Sequence, residues 1–170
     1  LGELLGLGKW FPAVFAACAM SIGVASFVNS RLVERIGMRI LSHGATLVFL
    51  ALSLAFLGLA MLGISGSYVV LPILTLSMLL VGLVFANFNA LAMEPQQKVA
   101  GIASSLIGAV TVLIGAGGCY LIGQASDGTA VPLAAGFVIS GVATLALLLV
   151  AERGRLCRPL EGREKESGAA

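Results

Sequence analysis

The stretch that decides the fold is Ser30-Arg31-Leu32-Val33-Glu34-Arg35-Ile36-Gly37-Met38-Arg39. It is the densest cluster of charge before the C-terminal tail, and it lies between two apolar runs that are each long enough to cross a bilayer. Charged residues are rare in the rest of the chain that precedes the tail. The stretch is therefore predicted to be a short basic loop, held in water between two membrane helices.

The composition indicates an integral membrane protein. Of the 170 residues, 59% are hydrophobic and 11% are charged, and the mean hydropathy of +1.06 lies far outside the range of soluble domains. The apolar runs show no strand-type alternation of polar and apolar residues, so their backbone groups are expected to be satisfied within helices. The predicted fold class is an all-α polytopic membrane protein.

Five membrane spans are predicted, at about residues 10–29, 40–62, 68–93, 99–123 and 130–151. Residues 1–9 form a lead-in outside the membrane, and residues 152–170 form a charged, solvated tail. Of the ten Lys and Arg residues, three follow the first span, one follows the third and five lie in the tail, against Lys9 on the other side. The positive-inside rule therefore predicts a cytoplasmic C-terminus.

The sequence lacks the residues that several classes of function require. The three cysteines, Cys18, Cys119 and Cys157, form no CxxC pair and have no nearby His, so neither a metal nor a cofactor is predicted. His43, close to an interface, is interpreted as a solvated or backbone-bonded residue rather than a proton relay. An intramembrane enzyme would need an Asp pair, a Ser/His pair or a metal cluster, so no enzyme is predicted. The basic residues form no stripe for nucleic acid, and membrane lipid is the expected contact.

Two amides, Asn87 and Asn89, lie inside the third apolar run. Two positions along a helix correspond to about 200° of rotation, so the two side chains are not expected to face the same cavity without a distortion of the helix. An amide in a membrane must find a partner, either in a substrate or in a neighbouring helix. Hydrogen bonding between helices is the commoner role and is favoured for each of the two.

Small residues recur at alternating spacings of three and four along the fourth span, at Gly101, Ser104, Gly108, Thr111, Gly115 and Gly118. They form one continuous stripe on a helix face. Close contact with an adjacent helix is the favoured interpretation, since small residues are the usual means of close helix approach in lipid. The alternative is the wall of a polar cavity, with hydroxyls supplied by Ser104 and Thr111.

The basic stretch resembles the cytoplasmic signature loop of major facilitator superfamily transporters, G-x-L-x-D-R-x-G-R-R. The matching positions are Leu32, Arg35, Gly37 and Arg39, with Glu34 standing for the acid. Ser30 and Met38 depart from the pattern, as is typical of the second copy of this loop. The resemblance implies that Arg35 and Arg39 latch one conformation by donating to helix carbonyls, Glu34 or Glu94. The alternative is that these arginines set topology and contact lipid phosphates.

A second segment carries a more specific resemblance. Residues 82–95, GLVFANFNALAMEP, and 99–108, VAGIASSLIG, are similar to the tenth and eleventh spans of the Bcr/CflA type of multidrug resistance transporter. The five spans then correspond to the eighth through twelfth of a twelve-span, major-facilitator-type carrier, within its C-terminal half. The chain is expected to be incomplete on its own, and to need the missing N-terminal half or a partner chain.

The resemblance implies proton-coupled efflux of drug-like small molecules by alternating access across a bacterial-type inner membrane. The residues expected to face the substrate cavity are Ser21, Ser26, Asn87, Asn89, Ser104 and Thr111. No Asp, Glu or Lys lies in mid-span, so the proton-coupling residue is expected in the missing half. The alternative is a non-transporting membrane fragment or assembly scaffold, in which the glycine seams only hold a bundle together.

Overall fold

The structure, a computed structural model, describes residues 8–151, apart from the side chains of residues 10–11 and 95–97. Its α-helices are α1 (Phe11–Ile36), α2 (Met38–Met61), α3 (Ser67–Met93), α4 (Ala100–Gln124) and α5 (Val131–Ala151), with short 3-10 segments at Gly8–Trp10 and Glu94–Val99. The predictions for most of the lead-in and for the charged tail, including Cys157, fall outside these residues.

All five helices are long and apolar enough to cross a membrane, and no strand occurs in the described part of the chain. The protein is an all-α, multi-pass membrane protein, so the predicted fold class is confirmed. The chain reverses at every connection. One end of the bundle, here called the basic end, carries Gly37 and the Glu94–Val99 segment. The other, the far end, carries the turns after α2 and after α4.

The prediction that residues 30–39 form a loop is wrong for most of the stretch. Helix α1 continues through Ile36, and α2 begins at Met38. Charge places these residues at the membrane surface but does not end a helix, because Arg, Leu and Glu are good helix formers. The break falls at Gly37, whose φ of 85° and ψ of 150° are rarely adopted by L-residues. The first span is therefore a longer helix than predicted.

A glycine also shapes the turn at the end of α2. Gly63 has a φ of 74°, its N–H donates to the carbonyl of Ala60 at 3.1 Å, and the N–H of Ile64 donates to that of Leu59 at 2.9 Å. This pair of bonds is a Schellman cap, which satisfies carbonyls that the helix itself leaves unpaired. The chain reverses here at the far end with no charged residue.

Helix α3 packs against both α1 and α2, and α2 packs in turn against α5. Two apolar clusters mark these contacts. The first joins α2, α3 and α5 through Phe56, Ala60, Val70, Ala130 and Ala134. The second joins α1, α2 and α3 through Ala25, Ala45, Leu80 and Leu83. Four of the helices therefore form the packed part of the bundle.

Two glycines allow the closest approach between these helices. A Cβ placed on Gly82 of α3 would lie 3.0 Å from the Cβ of Ala25 on α1, and one on Gly141 of α5 would lie 3.1 Å from Cδ1 of Leu50 on α2. Both distances are shorter than a Cβ usually allows, so the absence of a Cβ lets the helices approach closely.

Helix α4 has no buried residue. Within the described residues nothing lies within 4 Å of a Cβ built on any of the four stripe glycines, Gly101, Gly108, Gly115 and Gly118. The predicted close contact with an adjacent helix is therefore not made inside this part of the chain. The reason is that α4 touches α3 and α5 at only a few places, and the other helices pack on one another instead.

Candidate ligand cavity

A cavity of about 590 Å³, here called cavity A, lies between α2, α3, α4 and α5. Its walls include Thr46 from the early part of α2, Asn89 near the end of α3, Ile107 from the early part of α4 and Thr144 near the end of α5. All four positions lie toward the basic end of their helices. The volume is in the range of small-molecule binding sites.

The lining of cavity A combines aromatic rings with uncharged polar groups. The rings belong to Phe49, Phe85, Phe88 and Phe137, and the polar side chains are Thr46, Ser77, Asn89, Thr111, Ser140 and Thr144. None of the described residues that line the cavity is charged. A charged ligand would lose its hydration here without gaining an opposite charge, so the lining favours an uncharged one.

Three of the hydroxyls already donate to their own helix. Oγ1 of Thr46 donates to the carbonyl of Ser42 at 2.8 Å, Oγ of Ser140 to that of Gly136 at 2.7 Å, and Oγ1 of Thr144 to that of Ser140 at 2.8 Å. This back-bonding is the common state of Ser and Thr within helices. Each oxygen keeps lone pairs, so these groups offer hydrogen-bond acceptors to a ligand.

Ser77 differs from these hydroxyls. Its side chain is 1% exposed, and its Oγ has no hydrogen-bond partner among the described residues, although the residue lines cavity A. A buried hydroxyl without a partner is costly to a folded protein. Ser77 therefore has an unused donor and acceptor, although its Oγ is buried behind the cavity surface.

Two of the six predicted cavity residues line cavity A, namely Asn89 and Thr111. Asn89 is exposed in the cavity, and Thr111 is the only member of the α4 stripe that contributes to the walls. The structure thus brings together one amide from α3 and one hydroxyl from α4. Of the two hydroxyls in the cavity alternative for the stripe, only Thr111 is at the cavity, and Ser104 is not.

Asn87 does not line the cavity. Its amide nitrogen donates to Oδ1 of Asn29 on α1 at 2.6 Å and to the carbonyl of Leu83 at 2.8 Å. The side chain is 1% exposed. Asn87 and Asn89 therefore point in different directions, and Asn87 has the interhelical role that was favoured for it.

The three predicted serines lie elsewhere. Ser21 is buried and its Oγ donates to the carbonyl of Cys18 at 2.5 Å. Ser104 is exposed and its Oγ donates to the carbonyl of Gly101 at 3.0 Å. Ser26 is exposed on α1. None of them lines cavity A.

Sequence reasoning missed four polar residues of the cavity, Thr46, Ser77, Ser140 and Thr144. The last two carry a signal, since with Gly136 they repeat every four residues and share one face of α5. Thr46 and Ser77 are isolated hydroxyls in apolar runs, and only the packing of the helices shows that they face the same space.

The residues of the signature-like stretch lie at the basic end. Glu34 and Arg35 are exposed in the last turn of α1, Leu32 is half-buried, and Arg39 is half-buried in the first turn of α2. Among the described residues Arg35 forms no ion pair with Glu34 or Glu94, two of the partners suggested for the latch. Arg39 makes an interaction within the structure, and the latch stays a prediction.

His43 is buried in α2, with 3% of its surface exposed. Of the two interpretations, solvated or backbone-bonded, the solvated one is wrong, because α2 starts so close to Gly37 that its second turn is already packed inside the bundle. His43 makes an interaction within the structure. The described part of the chain contains no group of three or more His, Cys, Asp or Glu residues that would suit a metal ion.

Comparisons of the chain with protein-family models, curated proteins and solved structures find no match.

Proposed function

We propose that this chain is part of a small-molecule efflux carrier of the major facilitator type, with cavity A as its ligand site. The observation that carries the proposal is cavity A itself. It is an uncharged, hydroxyl-bearing pocket between four membrane helices, with a volume of about 590 Å³. Its proposed ligands are uncharged molecules with an aromatic or aliphatic body and a few hydrogen-bonding groups.

The polar groups of the cavity support this ligand class. Oxygens of Thr46, Ser140 and Thr144 are available to accept hydrogen bonds, while the amide of Asn89 is able to donate and to accept. The phenylalanine rings supply apolar contact around them. Because no titratable group lines the cavity among the described residues, proton coupling in the proposed carrier belongs to another part of the assembly.

Alternating access in such a carrier needs two halves that rock about a site near the membrane midplane. We place the chain in the second half, in a bacterial-type inner membrane with its C-terminus in the cytoplasm. Helix α4 supports the presence of further helices in the working protein, because it has no buried residue and its small-residue face is open. The other half or a partner chain is the proposed occupant of that face.

A thiol-protection experiment tests the ligand site. Asn89→Cys is introduced into a chain whose three native cysteines are replaced by serine, and the new thiol is labelled with N-ethylmaleimide in native membranes. Chloramphenicol, an uncharged aromatic molecule, is expected to slow the labelling, while the cation tetraphenylphosphonium at equal concentration is not. Leu62→Cys, in the exposed turn after α2 and outside cavity A, is the control, and its labelling is expected to be unaffected.

Equal protection by both compounds, or by neither, would contradict the proposed ligand class. Export of chloramphenicol by cells that make the protein with its natural partners then tests the function. Asn89→Ala is expected to reduce export. An export rate that is unchanged when the whole gene is deleted would favour the alternative of a non-transporting scaffold.

A further inference from the structure

A second cavity of about 540 Å³, here called cavity B, lies in the opposite half of the bundle. Its walls include Val14 and Cys18 from the early part of α1, Val70 from the early part of α3, Cys119 near the end of α4 and Pro132 at the start of α5. These positions all lie toward the far end of their helices. Cavities A and B therefore occupy opposite halves of the membrane-spanning bundle.

Met78 and Phe137 line both cavities. Met78 lies near the middle of α3, and Phe137 lies in the second turn of α5. A residue that lines both cavities lies at the boundary between them. Met78 and Phe137 therefore separate cavity A from cavity B. They come from helices that face each other across the two spaces.

The two side chains differ in how firmly they are held. The ring of Phe137 contacts the rings of Phe49 and Phe56, with centroid distances of 5.9 and 6.3 Å. Met78 is half-buried and is an unbranched thioether with three rotatable bonds, which changes shape easily. One side of the boundary is thus anchored by a tilted and an edge-on ring contact, while the other side is able to move.

We infer that Met78 and Phe137 form a partition between the two cavities, and that cavity B is a second station for the ligand of cavity A. This inference rests on the proposed function. Cavity B suits the same class of molecule, because its described lining is uncharged and mostly apolar, with the hydroxyls of Ser126 and Thr129 and two thiols. A ligand passes between the stations when Met78 changes its rotamer.

Cys18 provides a native reporter of the partition. It lines cavity B and is half-buried, and neither Cys18 nor Cys119 lines cavity A. With Cys119→Ser and Cys157→Ser, Cys18 is the sole thiol of the chain. Its labelling is followed in sealed native membrane vesicles, with an uncharged, sugar-linked maleimide that does not cross lipid and is added at the basic end. No ligand is needed, so the result is independent of whether cavity A binds a drug.

The partition is expected to keep labelling from the basic end slow. Met78→Ala is expected to raise the rate by about tenfold, and Phe137→Ala is expected to raise it too. Phe85→Ala, which enlarges cavity A without touching the shared wall, is the matched control and is expected to leave the rate unchanged. Labelling of Cys18 by reagent added at the far end is the control for folding. A variant that keeps this labelling still has its cavity B.

The inference is overturned if Met78→Ala labels no faster than the parent chain while retaining its far-end labelling. It is also overturned if Phe85→Ala accelerates labelling as much as the two partition variants. If the partition is confirmed, the second station is tested by whether chloramphenicol protects Cys18 from labelling. The absence of protection in the Met78→Ala chain would contradict the second station. Failure of the proposed function appears separately, as loss of protection at position 89.

Discussion

The side-chain amide of Asn87 donates a 2.6 Å hydrogen bond to Oδ1 of Asn29, and this bond joins the last turns of α3 to α1. A second bond, to the carbonyl of Leu83 at 2.8 Å, uses the other amide hydrogen. Both hydrogens are therefore satisfied within the protein, and none is left for a ligand. Asn89, two residues later, faces cavity A instead. The neighbouring amides have separate roles, one in packing and one in the proposed site.

Asn87→Ala is expected to lower the free energy of unfolding by about 0.6–1.7 kcal/mol, from the average to the largest value found for hydrogen bonds between membrane helices. Asn89→Ala is expected to change it little, because that side chain is exposed and forms no bond to the described residues. The measurement is unfolding of the purified chain in mixed micelles of rising SDS content. In a double-mutant cycle of Asn87→Ala with Asn29→Ala, the two losses of stability are expected not to add, because both variants remove the same hydrogen bond. Equal costs for Asn87→Ala and Asn89→Ala would contradict the division of roles.

Much of the fold could be predicted because lipid offers no partner to a backbone, so an apolar run of sufficient length must be a helix. The position of a helix end was harder to predict. Ser30 to Ile36 contain charge but neither Gly nor Pro, and the helix continues until Gly37, where the backbone changes direction.

The candidate site was predicted only in part. The spacing of small residues identifies a face of α4 but not its neighbour, because lipid and a second helix are equally apolar surroundings. For the same reason Gly82 and Gly141, which do make close contacts, carry no stronger signal than Gly108. Ser77 lines cavity A because α2, α4 and α5 enclose that space together with α3. Its sequence neighbours are ordinary apolar residues and give no sign of this.

Gly82 and Gly108 give a direct test of which glycines hold the bundle. Gly82→Leu is expected to lower the free energy of unfolding by about 1–3 kcal/mol, because its Cβ would be 3.0 Å from that of Ala25 and α1 and α3 would have to separate. Gly108→Leu in the purified chain is expected to be neutral or stabilising, since open space surrounds it and Leu is the better helix former. SDS unfolding measures both. A larger loss for Gly108→Leu would mean that α4 packs through its stripe.

The turn between α4 and α5 predicts a pH effect outside the membrane. Hydrogen bonds from the hydroxyl and then the backbone N–H of Thr129, at 2.6 and 2.9 Å, lower the pKa of Asp127 below its ordinary value of 3.8. Because the pKa of Asp127 is lower in the folded state than in the unfolded state, the ionised carboxylate stabilises the fold. This contribution is complete above the ordinary pKa and is lost as the pH falls through the pKa of the folded state.

Thr129→Val removes the hydroxyl but keeps the backbone donor, so the pKa of Asp127 is expected to rise part of the way to its ordinary value. An NMR titration of the carboxyl carbon measures it. Ser126→Ala is the control and is expected to leave the titration unchanged, because Ser126 does not bond to Asp127. A titration identical in both variants would show that the Thr129 hydroxyl does not hold the carboxylate.

Ser77 and Ser53 are a matched pair, with side chains 1% and 0% exposed, that differ in hydrogen bonding. Oγ of Ser53 donates to the carbonyl of Phe49 at 2.7 Å, whereas Oγ of Ser77 has no partner among the described residues. Ser53→Ala is expected to lower the free energy of unfolding by about 0.5–1.5 kcal/mol, while Ser77→Ala is expected to raise it by about 1–3 kcal/mol, because an unsatisfied hydroxyl disappears. SDS unfolding measures both. Equal losses of stability in the two variants would show that the Ser77 hydroxyl is hydrogen-bonded in the folded protein, as that of Ser53 is.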